Sequence, residues 1–406
     1  MDVTFLSAQT TEANQKAQVL KVAQKLGDFI KAATHNLHVA IYDFRLSDDP
    51  AEIVIGALND RAETGVVVRV AYFAPKKSRK STKDFAAVGA DPAPGPEPHF
   101  LNRLSAKVLK KGIQELGPNV EKEAINGMSH LMHDKYVVRD GMTPQAALWT
   151  GSTNFTDDAF SLQENNIVVL ESQDLCEFYE TDFAEMWSQE SIKSTGKNDR
   201  GSATVDGADV SVAFSPGEGR TIDHEIASSI AASRQEVKIA SMVISSGGVL
   251  SALAEAIDRG VEVSGIYDGT EMEGVEKDWG KGGDASASKL NLWNAVKEKL
   301  VAKYSHPYTD DGPHDFMHNK FVVIDESKVI TGSFNFSNNA TRNAENVLFI
   351  GDAEIAGKYA AFANKMIETY RGSTKPFSGD EVSNPHAAEV FAAEHPVTKA
   401  KKRRRK

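Results

Sequence analysis

MHDKYVVRD (residues 132–140), then TGSTNF (150–155), then Glu164: this series recurs as MHNKFVVID (317–325), TGSFNF (331–336) and Glu345. Each copy reads H-x-K-x-x-x-x-D, then G-S-x-N, then an acid ten residues past the Asn. One H-x-K tripeptide carries little information. Two copies that agree at His, Lys, Asp, Gly, Ser, Asn and Glu point to one unit used twice. His133 and His318 are 185 positions apart, and Asn154 and Asn335 are 181 apart. A nearly constant offset, looser elsewhere, is what duplication followed by loop divergence leaves.

Outward from the motifs the periodicity repeats too. In the first half, Val19, Val22, Leu26, Phe29, Ile30 and Ala33 recur at helical spacing. LHVAIYDF (37–44) alternates like a strand, residues 51–62 read as a helix, and GVVVRVAYF (65–73) reads as a buried strand. Strand–helix–strand implies a parallel pair with a right-handed crossover. KYVVRD, AALWTGS and ENNIVVL supply further strands, and residues 174–187 an amphipathic helix with Leu175, Phe178, Phe183 and Met186. The plan restarts with a helix through Ile222, Ile226 and Ile230, a strand at VKIASMVI (237–244), a helix over 250–259 and a strand at GVEVSGIYD (260–268). It closes on a helix carrying Ile355, Tyr359, Phe362 and Met366. The sequence therefore predicts an α/β fold of two tandem sandwich domains, 1–192 and 208–371, related by a pseudo-two-fold axis. A polar linker, 193–207, joins them, and a polar tail, 372–406, ends in KKRRRK.

Composition narrows the chemistry. The 406 residues are 41% hydrophobic and 25% charged, with no apolar run of the ~20 residues a membrane helix needs. No secretory signal is evident at the N-terminus. The single cysteine, Cys176, excludes an intrachain disulfide and a cysteine-cluster zinc site. These features together predict a cytoplasmic protein. A net charge of −11 argues against a uniformly basic surface, though a local basic groove depends on distribution rather than total. The basic run at Lys76, Lys77, Arg79, Lys80 and Lys83 and the KKRRRK tail are candidate contacts to a polyanion or an anionic membrane.

In a strand, H-x-K sends His and Lys to the same face. Lys135 and Lys320 then offer positive charge to phosphate oxygens, and Ser152, Ser333, Asn154 and Asn335 add neutral donors. Two copies across a pseudo-two-fold axis put two imidazoles on opposite sides of one phosphorus, as an in-line displacement requires. Neither motif holds the carboxylate cluster of a magnesium or two-metal nuclease, so no metal and no cofactor are expected. Glu164 and Glu345 are each placed to accept a hydrogen bond from the far nitrogen of a histidine.

The duplicated block resembles the phospholipase D superfamily, the "HKD" phosphodiesterases, over roughly residues 7–371. The resemblance implies that one motif histidine, His133 or His318, attacks phosphorus to form a phosphohistidine while the other protonates the leaving oxygen. It implies phosphate binding by Lys135, Lys320, Asn154 and Asn335, and a chiefly structural role for Asp140 and Asp325. The compact motif spacing looks most like the nuclease branch, which makes nucleic acid the preferred partner and anionic phospholipid the alternative. One chain supplies both motifs, so a monomer is expected to suffice.

Overall fold

The computed structural model describes residues 1–74, 110–308 and 313–375. The basic run at 76–83, the proline-rich stretch at 91–98 and the KKRRRK tail lie outside the described residues.

The first half opens with β1 (Asp2–Leu6), α1 (Glu12–Lys31), β2 (Asn36–Ile41), β3 (Phe44–Leu46), α2 (Asp48–Glu63) and β4 (Val67–Phe73). It continues with β5 (Lys111–Gly112), β6 (Glu121–Ile125), β7 (Lys135–Arg139), β8 (Ala147–Gly151) and β9 (Phe155–Thr156). A short helix α3 (Asp157–Ser161), β10 (Asn165–Glu171) and α4 (Gln173–Gln189) complete it. The second half holds β11 (Gly201–Val205), β12 (Ala208–Ser215), α5 (Gly219–Ala231), β13 (Glu236–Ser241), α6 (Gly247–Asp258) and β14 (Glu262–Asp268). After α7 (Gly269–Trp279) and α8 (Asp284–Lys297) come β15 (Leu300–Lys303), β16 (Lys320–Ile324), β17 (Lys328–Gly332), β18 (Glu345–Gly351) and α9 (Ala353–Tyr370).

Two large sheets result, ordered β1-β10-β8-β7-β2-β4-β6 and β11-β12-β18-β17-β16-β13-β14-β15. Strand for strand they are one topology, with β11 added at the edge of the second. In each, the motif strand, β7 or β16, lies between an antiparallel hairpin partner and an antiparallel neighbour that begins the parallel pair, β2–β4 or β13–β14. A small β5-β3-β9 sheet occurs in the first half.

The motif strands are apolar at nearly every position because both faces of the sheets are covered. Tyr136 and Val138 of β7 face an inner core, and Val137 faces an outer one under α1 and α2. Phe321 and Val323 of β16 face the same inner core, while Val322 and Ile324 face a second outer core under α5, α6 and α8. The inner core is common to both halves, with α4 and α9 in it. Phe5 of β1 stacks on Phe362 of α9 at 4.4 Å between centroids, and Tyr179 of α4 meets Phe214 of β12 edge-on at 4.9 Å. Each such large side chain removed from water stabilises the packed state by about 1.5–3 kcal/mol, so separating the halves would expose a continuous apolar surface.

Residues 201–205, inside the stretch read as a linker, form the edge strand β11 paired with β12. Asp206 and Gly207 make the connection, both at positive φ (53° and 85°), the conformation that a two-residue Asp-Gly hairpin turn requires. Trp279 ends α7 and is buried against α8 and the second outer core rather than presented in a loop.

Candidate active site

Each H-x-K block enters its sheet from a turn that is tied to the opposite half. The N–H of His133 donates to Ala344 O at 2.8 Å, and the N–H of Ala344 returns to Leu131 O at 2.8 Å. In the second copy the N–H of His318 donates to Glu164 O at 3.1 Å, and the N–H of Glu164 returns to Phe316 O at 3.2 Å. Both histidines therefore sit two residues ahead of the laddered part of their strand, each on a short bridge to the other half. Lys135 Nζ donates to His133 O at 2.5 Å and Lys320 Nζ to His318 O at 2.7 Å, so each lysine folds back beside its own histidine. Both histidines and both lysines are buried. Two ammonium groups held out of water favour an anion between them.

Between the two blocks lies a reciprocal polar network. Asn346 Nδ2 donates to Asp134 Oδ1 at 2.9 Å, and Asn346 Oδ1 accepts from Thr150 Oγ1 at 2.9 Å and Tyr179 Oη at 3.2 Å. Asn166 repeats this from the other side, donating to Asn319 Oδ1 at 2.9 Å and accepting from Thr331 Oγ1 at 3.2 Å and Tyr359 Oη at 3.0 Å. Three buried polar contacts in each direction fix the two halves in register, since a slip would leave every one of these groups desolvated and unpaired.

This network identifies which residues are true counterparts. The Asn166 N–H donates to Ser152 Oγ over fourteen positions, whereas the Asn346 N–H donates to Ser333 Oγ over thirteen. The first copy thus has one more residue between its G-S-x-N turn and its strand. Glu345 is therefore matched by Asn165, and Glu164 by Ala344. The histidines report the same slip. His133 Nδ1 lies 2.6 Å from Glu345 Oε2, but His318 Nδ1 lies 2.9 Å from Asn165 Oδ1. The expectation that Glu164 serves a histidine as Glu345 does is corrected here: Glu164 Oε1 accepts from the Ala8 N–H and from Tyr370 Oη, and lies 3.9 Å from Lys303 Nζ. The signal was in the sequence. The apolar run starts three residues after Glu164, at Ile167, and only two after Glu345, at Val347.

The remaining motif residues divide by surroundings. Asn154 and Asn335 are buried, and among the described residues each has an Oδ1 without a hydrogen-bond partner. Such groups mark places where a further polar partner belongs. The Ser152 hydroxyl is already committed to Asn165 Oδ1 at 2.7 Å, so it orients the histidine's partner rather than standing free for phosphate. Asp140 accepts from the N–H groups of Thr34, His35 and Asn36, and Asp325 from those of Arg234, Gln235 and Glu236. Burial pulls both carboxyls upward, yet these N–H bonds outweigh it and hold both below the ordinary carboxylate range. Each thereby ties a helix–strand turn to the end of its motif strand. Sequence reasoning missed Tyr42, whose ring lies edge-on to His133 at 5.0 Å and beneath Lys135 Nζ at 5.0 Å. It also missed Asn343, which accepts from the Leu131 N–H and donates to Glu345 Oε1 at 3.0 Å, aiming that carboxylate. Among the described residues no group of three or more His, Cys, Asp or Glu side chains is arranged to hold a metal ion.

A family model described as "Cardiolipin synthase, PLD-like domain" matches residues 26–187 and again 226–367. The chain belongs to the phospholipase D superfamily. Each copy of the PLD-like domain covers most of one sheet, leaving out β1 of the first and β11 and β12 of the second. A phospholipase D of Rickettsia bellii is 34% identical over 151 residues, 37% of this chain, and one of Rickettsia conorii is 32% identical over the same length. The chain spans 65% of the length of these curated relatives. Among solved structures, a phosphatidylserine synthase from Haemophilus influenzae covers 91% of this chain and is itself covered to 86%, with a TM-score of 0.56 at 13% identity, a likeness of fold. This PLD-like chain thus has the family's two-domain arrangement in one polypeptide.

Proposed function

We propose that the chain is a metal-independent phosphodiesterase that works through a phosphohistidine on His133, and that its substrate is the phosphodiester backbone of DNA or RNA. The observation that carries the mechanism is the unequal pairing of the two histidines. A nucleophilic imidazole gains positive charge as its Nε2 bonds to phosphorus, and a general acid loses positive charge as it gives up its proton. A carboxylate at Nδ1 stabilises the first change and opposes the second, so differential stabilisation of the transition state assigns attack to His133, backed by Glu345. His318 meets, at its own Nδ1, the neutral amide oxygen of Asn165, and so is assigned the proton donor. As the P–N bond forms, the P–O bond to the leaving group breaks and the His318 proton passes to that oxygen. Water then gives a proton back to His318 and its oxygen displaces His133 from phosphorus. Lys135 and Lys320 balance the phosphoryl charge, and the amides of Asn154 and Asn335 complete the cradle.

The nuclease reading is supported by what surrounds the site. Among the described residues the large apolar side chains left exposed are Val67, Met128 and Met142, which form no face for acyl chains. No described helix is long and apolar enough to cross a membrane. The second reading, a phospholipase D or phosphatidyl transferase, is favoured by the names of the curated relatives and of the family model. The test is hydrolysis in excess EDTA of single-stranded DNA, duplex DNA, RNA, and phosphatidylcholine or cardiolipin vesicles, with His133→Ala as the blank. Cleavage of nucleic acid, weakening steeply with salt, is expected. Headgroup release with nucleic acid untouched would overturn the substrate assignment.

A further inference from the structure

Beside the site runs a cleft of about 620 Å³, walled by the turn before His133, the loop before Glu345, the chain leaving α4 and the start of α5. It adjoins the reaction centre through short connections. Leu131, just past the cleft residue His130, donates its N–H to Asn343, which follows the cleft residue Arg342 and itself holds Glu345.

Three exposed cations line the cleft: Lys193, Arg220 and Arg342. Among the described residues none of the three has an ion-pair partner. The lining holds one carboxylate, Asp223, whose pKa is raised by burial against the lowering effects of Ser246 and Lys289. His130 also lines the cleft, and burial and then the neighbouring Arg342 lower its pKa. The walls are also strained. Met128 and Ser194 are non-glycine residues held at φ 51° and 66°, a cost that persists where the surroundings impose it and that gathers at binding sites.

The first copy is built differently at the same place. Asn338 and Asn339 follow the second G-S-x-N-F, and Asp157 and Asp158 stand at the matching positions of the first. There the described cations are matched: Arg45 with Asp43 at 2.5 Å, His314 with Asp158 at 3.4 Å, and Lys110 with Asp157 at 3.9 Å. Among the described residues, unmatched positive charge therefore lies on the flank of the cleft.

We propose that this cleft is a second anionic subsite, in which Lys193, Arg220 and Arg342 take a neighbouring phosphate of a nucleic-acid strand whose scissile phosphate lies between the histidines. The subsite rests on the nuclease reading and adds a direction to it: a strand is gripped on one side of the cut. Contacts of this kind position the backbone without reading bases.

The test compares kcat/KM for short oligonucleotides, extended by one or more phosphates on the 5′ or the 3′ side only, with kcat/KM for a nucleoside p-nitrophenyl phosphodiester that has one phosphate. Extension on one side, and not the other, should raise kcat/KM by tenfold or more. In the Lys193→Ala/Arg220→Ala/Arg342→Ala protein the ratio of oligonucleotide to single-diester kcat/KM should fall at least tenfold. Its log–log salt slope on oligonucleotides should be shallower by roughly 0.7–0.9, the change expected for one lost phosphate contact. Arg220→Lys/Arg342→Lys, which keeps the charges, should retain most of the ratio and so separates lost charge from lost folding. If the wild type cuts oligonucleotides but the triple variant keeps both ratio and slope, the subsite is wrong and the nuclease reading stands. If the wild type hydrolyses the single diester and no oligonucleotide of any length, the reading beneath it fails as well. Loss of headgroup release from phosphatidylglycerol vesicles in the triple variant, with oligonucleotides never cut, would assign the cleft to lipid and overturn the proposal.

Discussion

His133 and Glu345 stand 212 positions apart in the chain, and Nδ1 of one lies 2.6 Å from Oε2 of the other. The matching contact of His318 is to the amide oxygen of Asn165 at 2.9 Å. The amide can point only one way, because Asn165 Nδ2 already donates to Ala159 O and Gln163 Oε1. Both histidines thus present an Nδ1–H inward, His133 to a carboxylate and His318 to an amide oxygen.

Glu345→Gln should lower kcat by about a hundredfold, the scale of removing one group aimed at charge that develops in the transition state. Glu164→Gln should lower it less than about threefold, since its carboxylate serves Ala8 and Tyr370. Steady-state kinetics on a common phosphodiester compares them directly. Equal losses would restore the symmetric reading that the ten-residue spacing suggested.

His133→Ala and His318→Ala should each cost several orders of magnitude, and the double variant should be little worse than either single, because groups that act as one unit do not lose additively. Denatured His318→Ala protein quenched during turnover should carry acid-labile, base-stable phosphate, and His133→Ala protein none. Phosphate retained on the latter would move the nucleophile. Activity of the wild type should survive EDTA, and specific activity should not fall on dilution.

Stability should decline as pH rises from about 4 to about 7. Burial, and after it repulsion from Glu345, raises the Asp134 carboxyl to about 7, against the lowering effect of Asn346, and burial raises Asp199 to about 7 as well. An unfolded carboxyl titrates near 3.8, so across this window the native state holds protons that the unfolded state has lost, and the difference levels off above about 7. Asp134→Asn, which reproduces the Asn319 of the other copy, should flatten part of this decline and be at least as stable as wild type at pH 8. Urea unfolding across the range measures it. A wild-type profile that rises over the window would contradict the assignment.

Asn346→Ala should cost about 3 kcal/mol or more, because it leaves the Asp134 carboxyl and the Thr150 and Tyr179 hydroxyls buried without partners. Asn166→Ala should cost a similar amount from the opposite side. Denaturant unfolding should show one transition in both variants, since the halves share an inner core. Two separated transitions would mean that the halves fold independently.

Much of this was legible in the sequence. The duplicated blocks and the strand–helix–strand runs beside them anticipate both sheets, because Val- and Phe-rich motif strands buried on two faces leave little room for another structure. Several strands were not legible, among them β12 and β15, the latter inside a stretch that reads as helix. β1 and β11 are five-residue edge strands whose pairing decides their form, and β6 joins the sheet by a parallel contact with β4 made after a long excursion. Within the site, the motif letters did not locate the partner of His318, nor Tyr42 or Asn343. Position counting from Asn154 lands on Glu164, and only the ladder that begins at Asn166 shows that the chain has gained a residue on the way. Tyr42 and Asn343 carry no motif spacing. Their place is set by where β2 ends and where the loop before Glu345 crosses to Leu131.

That extra residue bears on what the polypeptide is free to become. Two identical subunits meeting on a true dyad must show the same partner to both sides of a trapped phosphate, and nothing in such an assembly can tell front from back. Once the halves are covalently continuous, each can drift alone, and here a single insertion has set a carboxylate behind one histidine and an amide behind the other.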